Sequence, residues 1–236
     1  MGDLSELKKK LGTAAVDRFV KDGMRLGLGT GSTAIWAARR VAERLSEGSL
    51  RGITAVTTSL QAELEARALG IPLVTINDAS LKGELDLTID GADEVDGAFN
   101  LIKGGGGALL KEKIVAYASL RLIIVVDHSK LSDRLCDHSP VPVEVVVDAL
   151  ETAKKELRGM GGEVSLRMAH RKAGPVITDL GNLLLDVTFP HAFDPARREM
   201  EIDMIPGVLE NGLFTRKTPE LLIGAAHGGI EHRTKA

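Results

Sequence analysis

The chain has 236 residues, 44% hydrophobic and 27% charged, with a formal net charge of −3. It is long enough to bury a core without disulfides or metals, too apolar to be disordered, and too weakly charged to wrap a polyanion. Aromatics are 3%, with Trp36 and Tyr117 each alone of their type, so no nucleic-acid partner is expected. The single Cys136 excludes an intrachain disulfide, fits a reducing cytosol and reads as a small inert apolar residue. The apolar run 122–126 falls far short of the ~20 residues a membrane helix needs. Residues 1–10 are polar and charged, without a signal-peptide core, and Glu6 stands where a myristoylation motif requires Ser or Thr. The expectation is a cytoplasmic protein with no membrane partner.

In chain order, Asp3 and Glu6 open a helix over 4–20, on which Leu7, Leu11, Ala14, Ala15 and Phe19 share one face and Lys8, Lys9 and Lys10 the solvated one. A strand over 24–28, a glycine turn, Ser32 as a helix cap and a helix over 33–45 follow. Strands are expected at 53–57, 73–76, 85–89 and 122–126, with helices at 60–69 and 108–119. This alternation predicts a mostly parallel sheet covered by helices. The pattern then changes: strands at 141–147, 163–168, 176–178 and 183–187, with helices at 149–157 and 195–204, predict a small inserted α+β unit. Segments 205–214 and 221–226 are expected to return to the first sheet. The division predicted is residues 1–131 with 205–236 in one domain and 132–204 in the other.

In open α/β sheets, ligands bind beyond the carboxyl ends of the strands. The residues least explained by packing fall there: 27–33 (GLGTGST), 57–59 (TTS), 90–94 (DGADE) and 127–130 (DHSK). Parallel strands would bring all four to one rim. The first loop has neither the dinucleotide fingerprint, since position 32 is Ser, nor the Walker pattern. It is either a plain strand–helix turn or a helix N-terminus whose amides and the hydroxyls of Thr30, Ser32 and Thr33 hold a small phosphate. Lys103 with Gly104, Gly105, Gly106 and Gly107 is the oddest feature. Four glycines lose much entropy on ordering, which makes sense where backbone amides must approach a ligand. Glu112, just over one turn into the next helix, reads from spacing alone as an exposed residue stabilising the helix N-terminus. Glu94 and Asp96 read as a solvated turn. Ala92 breaks the calcium-loop pattern, which leaves magnesium open to the acidic cluster on composition, and the six histidines show no ligand spacing.

Together these segments resemble type A ribose-5-phosphate isomerase. GLGTGST, DGADE, KGGGGALLKEK at 103–113 and DHSK carry the likeness, joined by VPVEVVV at 141–147, GNLLLD at 181–186 and PGVLENGLF at 206–214. They run in family order from Glu6 to Phe214, with a small departure at Gly107, where the family pattern has Ala. The resemblance implies an α/β fold: a Rossmann-like, mostly parallel sheet domain with a smaller inserted ferredoxin-like α+β domain that assembles a homodimer or homotetramer. It implies interconversion of D-ribose 5-phosphate and D-ribulose 5-phosphate, a phosphosugar substrate, and no metal or organic cofactor. By family position Glu112 becomes the base, overturning its reading from spacing, and Lys103 with the amides of Gly104, Gly105 and Gly106 stabilises an enediolate. Asp90 and Asp93 then handle hydroxyl protons. Substrate contacts fall to Lys8, Thr30, Gly31, Ser32, Thr33, Gly91, Ala92 and Lys130. Two other classes compete: a non-catalytic sugar-phosphate sensor, which would carry a DNA-binding module for which 1–23 are too few residues, and an amino-sugar phosphate deaminase or related phosphosugar hydrolase.

Overall fold

The structure, a computed structural model, describes residues 2–225 and 228–235, with the side chains of Gly2 and Asp3 excepted. The capping side chain expected at Asp3 and the strand end expected at Ala226 lie outside the described residues. The elements run α1 (Gly2–Phe19), β1 (Arg25–Leu28), α2 (Gly31–Ser46), β2 (Thr54–Thr57), α3 (Leu60–Ala68), β3 (Leu85–Asp90), β4 (Glu94–Val95) and β5 (Leu101–Ile102). There follow α4 (Leu109–Tyr117), β6 (Ser119–Asp127), β7 (Val141–Val145), α5 (Leu150–Gly159), β8 (Glu163–Leu166) and β9 (Leu183–Thr188). The last are α6 (Pro195–Asp203), β10 (Val208–Asn211), β11 (Leu213–Phe214), β12 (Glu220–Gly224) and β13 (Ile230–Arg233). The chain packs as two units, Met1–Ala92 with Lys111–Ser129 and Lys217–Ala236, and Asp93–Leu110 with Lys130–Arg216.

The first unit holds a six-stranded sheet in the order β13-β12-β6-β3-β1-β2, parallel except for β13 at its edge. The α1 stripe read from the sequence is buried as expected: Leu7, Leu11, Ala15 and Phe19 join Val41 of α2, Leu26 and Leu28 of β1 and Ile123 and Val125 of β6 in one core. Each such large aliphatic side chain contributes ~1.5–3 kcal/mol on burial. Residues 122–126 are buried throughout, as a central parallel strand requires. At the other end of β1, Arg25 grips Asp86 through Nε at 3.1 Å and Nη2 at 2.6 Å, and this hydrogen bonding holds the Asp86 carboxyl below the usual carboxylate range. The strand expected at 73–76 is only a bridge between Ala55 and Leu73. The chain leaves the sheet because Asp78 closes a turn onto the Thr75 carbonyl and its carboxylate takes the Ser80 amide and hydroxyl.

The second unit contains β7-α5-β8-β9-α6-β10, whose antiparallel sheet has the order β10-β7-β9-β8. This is the split βαβ arrangement of ferredoxin-like folds. Its core sets Val141, Val143 and Val145 of β7 against Leu157 of α5, Leu185 and Val187 of β9 and Ile202 of α6. Three two-residue strands, β11-β5-β4, make a further small sheet. Segment 205–214 therefore does not return to the parallel sheet: β10 pairs with β7, and β11 pairs with β5. Only β12 and β13 join the first sheet. The strand expected at 176–178 reduces to one bridge between Ile177 and Leu183, because the Thr178 hydroxyl accepts the Leu180 and Asn182 amides and turns the chain back.

Candidate active site

In the first unit, the parallel run β6-β3-β1-β2 places the carboxyl ends of four strands on one rim, as the sequence pattern implies. Asp90, wholly buried at the end of β3, accepts the Thr30 amide at 3.0 Å and its neighbour Gly91's at 2.8 Å through Oδ1. The neighbouring turn comes close enough only because position 29 is glycine: a Cβ there would lie 2.3 Å from Asp90 Oδ1. The Thr30 hydroxyl meets the hydroxyls of Thr58 at 2.7 Å and Ser59 at 2.6 Å, and Ser59 caps α3 by accepting the Ala62 amide. Thr58 and Ser59 were legible only as part of the TTS segment on this rim, without an individual role.

Thr30, not Ser32, is the N-cap of α2, and it makes no side-chain cap bond. Gly31, at a φ of +95°, is the first residue of the helix, so cap and helix start two residues earlier than the hydroxyl pattern suggests. Ser32, in the first turn and exposed, instead accepts a 2.8 Å hydrogen bond from Lys8 Nζ, which reaches across from α1. Lys8 is half-buried and Lys9 and Lys10 are exposed, so Lys8 leaves the solvated face assigned to all three. Thr33 lies in the same first turn of α2. Glu112 is 6% exposed in the first turn of α4, which corrects its reading as a surface residue.

The second unit carries the glycine loop and Asp93. Lys103 is buried; its amide donates to the Gly212 carbonyl at 2.9 Å, and its ammonium lies 5.7 Å from the centre of the Phe214 ring. Gly105 and Gly106 are exposed, and the Gly107 amide closes a turn on the Gly104 carbonyl at 2.9 Å, with Gly107 at a φ of +82°. Asp93 Oδ2 accepts the Gly105 amide at 2.7 Å. Arg167, which no sequence signal marked, donates to the carbonyls of Gly104 at 3.2 Å and Gly105 at 3.0 Å while pairing with Asp186. Glu94 is no solvated residue. It is wholly buried and accepts the amides of Cys136, Asp137, His138 and Ser139 at 3.0–3.2 Å. Asp96 does form a turn, accepting the Ala98 and Asn100 amides. Burial pushes the Cys136 thiol up. Lys130 ends a single helical turn after β6, half-buried. Gly91 and Ala92 follow Asp90 at the end of β3 in the first unit. Among the described residues no group of three or more His, Cys, Asp or Glu is placed to hold a metal ion, and no helix is long and apolar enough to cross a membrane.

The family model of ribose 5-phosphate isomerase A (phosphoriboisomerase A) matches residues 54–228. Ribose-5-phosphate isomerase A of Synechococcus sp. (strain WH7803) is 50% identical over 98% of this chain and 96% of its own length. That of Treponema denticola is 44% identical over 97% of this chain and 99% of its own. The solved ribose 5-phosphate isomerase A of Methanocaldococcus jannaschii superposes with a TM-score of 0.91 at 42% identity, over 98% of this chain and 99% of its own. A D-ribose-5-phosphate isomerase solved in complex with phospho-erythronic acid gives a TM-score of 0.93 at 40% identity over 98% of both chains. Likeness of this extent, over nearly the whole of each chain, makes the chain an isomerase. It belongs to the ribose 5-phosphate isomerase A family.

Proposed function

We propose that the chain interconverts D-ribose 5-phosphate and D-ribulose 5-phosphate through an enediolate. Glu112 takes the proton from C2 and returns it to C1, while the hydroxyl proton of C2 passes to O1. Such a base contributes ~10²–10⁴-fold. Negative charge develops on the former carbonyl oxygen, where Lys103 and the amides of Gly104 and Gly106 act as an oxyanion hole, the Gly105 amide being taken by Asp93; one such donor is worth roughly 3–4 kcal/mol. Asp90 and Asp93 move the hydroxyl protons, including those of ring opening, and their separate hydrogen-bonded settings suit them to unequal roles. Gly31, Thr33, Gly91, Ala92 and Lys130 complete the substrate contacts by family position. Lys8 and Ser32 hold the phosphate, a reading supported by their hydrogen bond beside the N-terminus of α2.

The observation that carries this reading is the burial of Glu112 in a helix immediately after the lysine–glycine loop. The test is ketopentose formation from ribose 5-phosphate. Wild type should convert it, and Glu112→Gln should lose at least ~10²-fold in kcat with KM little changed, since the amide keeps the shape but takes no proton. A variant retaining a tenth of the activity would remove Glu112 from the role of base. The same reading places the enzyme in the cytoplasm, acting without metal or organic cofactor, as a homodimer or homotetramer. Assembly through the α+β domain at 132–204 is supported by exposed Val147 and Met200 there, and light scattering checks it.

A further inference from the structure

We propose that Arg167, held by Asp186, is a positioning residue that sets the peptide planes of the glycine loop. This rests on the roles given above to Asp93 and the loop amides. Arg167 lies just beyond β8 and Asp186 lies on β9. The guanidinium pairs with the carboxylate through two nitrogens, Nε at 2.9 Å and Nη2, leaving Nη1 for the carbonyls of Gly104 and Gly105. Both side chains are largely buried, at 17% and 20% exposure. A planar fork fixed on one side by a carboxylate presents its remaining N–H with little freedom.

The consequence follows from peptide geometry. In a trans peptide, the carbonyl of one residue and the amide of the next share a plane and point opposite ways. The first plane joins the Gly104 carbonyl to the Gly105 amide; Arg167 holds one end and Asp93 Oδ2 the other, at 2.7 Å. The second joins the Gly105 carbonyl to the Gly106 amide; Arg167 holds the carbonyl, so the Gly106 amide faces away from the guanidinium. Glycine has the widest choice of backbone conformation, and these amides do not hold themselves. The GNLLLD segment, whose aspartate has no contact with the reacting groups in the reading above, gains a purpose: Asp186 aims Arg167, and Arg167 aims the loop.

The test uses the full-length enzyme with ribose 5-phosphate as substrate and 4-phospho-erythronate as the enediolate-like inhibitor. Arg167→Lys keeps a cation beside Asp186 but loses the fork. Arg167→Met with Asp186→Asn removes both partners and leaves no uncompensated charge. Both variants should lose at least about tenfold in kcat with KM within about twofold, because misaimed donors fail the enediolate more than the ground state. Inhibitor affinity should fall in parallel with kcat, with the larger loss in the double variant. Should the double variant not fold, Arg167→Lys and the inhibitor titration decide alone. Folded variants with kcat within twofold of wild type, or with KM raised and kcat unchanged, overturn the proposal. Failure of wild type to convert ribose 5-phosphate would instead overturn the function on which it rests.

Discussion

Gly105→Ala isolates one contact in the loop. The backbone at Gly105 is not left-handed, so alanine meets no conformational strain there. Its Cβ, however, would stand 2.6 Å from Asp93 Oδ1 and 2.9 Å from both Cγ and Oδ2, where ordinary contact begins at 3.4 Å. The carboxylate must therefore withdraw by about 0.8 Å or rotate away, and either movement breaks its 2.7 Å bond to the Gly105 amide. A displacement near 1 Å at a reacting group costs ~10²-fold, or ~2.7 kcal/mol of barrier. Stability should barely change, because the loop is exposed and water can take over the released amide. The assay is initial-rate ketopentose formation beside a thermal melt, with Gly97→Ala as control, since nothing lies within 4 Å of a Cβ at that position. We expect kcat down ~30–100-fold and an unchanged Tm. A kcat within threefold of wild type would refute the claim that Asp93 works from the position seen here.

Lys103→Ala should lower kcat and kcat/KM together, since its charge meets the enediolate, whereas Ser32→Ala should mainly raise KM, the phosphate charge being the same in substrate and transition state; steady-state kinetics separate them. Asp86 has a folded-state pKa below its unfolded value, so its contribution is present above the ordinary aspartate range and is lost as pH falls through the depressed value. Asp86→Asn should accordingly lower Tm at neutral pH, and that deficit should shrink as pH falls below the ordinary aspartate range, as melts along such a pH series will show. Cys136, buried and with its thiol pushed up, should resist iodoacetamide at pH ~8 in the native protein and react promptly once urea unfolds it, a contrast read by mass spectrometry.

The helix–strand alternation of the first unit was legible because burial imposes a period, and the stripe Leu7, Leu11, Ala15, Phe19 shows it directly. Elements of two residues have no period, so β4, β5 and β11 leave no mark in the sequence, and the pairing of 213–214 with β5 is not legible there. Ser32 resembled a cap by residue type, but φ at Gly31 decides where the helix starts, and that is not written in a side chain. Glu94 was read as solvated because its partners lie 42–45 residues away and are backbone amides, which carry no residue identity. Arg167 escaped for the same reason: it binds two carbonyls that any residue would supply. Lys103, the glycines and Asp90 stood out because such residues are hard to account for by packing.

The pairing of β6 with β12 bears on how the chain is made. Ile123 to Asp127 bond to Glu220 to Gly224, nearly a hundred residues downstream. Until the ribosome has delivered those residues, β6 offers one unpaired edge of an apolar strand, a template for other chains. The strands and helices between 141 and 211 meanwhile have everything they need to form their own sheet. Synthesis therefore leaves that edge open from the completion of β6 until β12 arrives, and a stall after residue 216 would release a chain prone to aggregate by edge pairing rather than a partly active one.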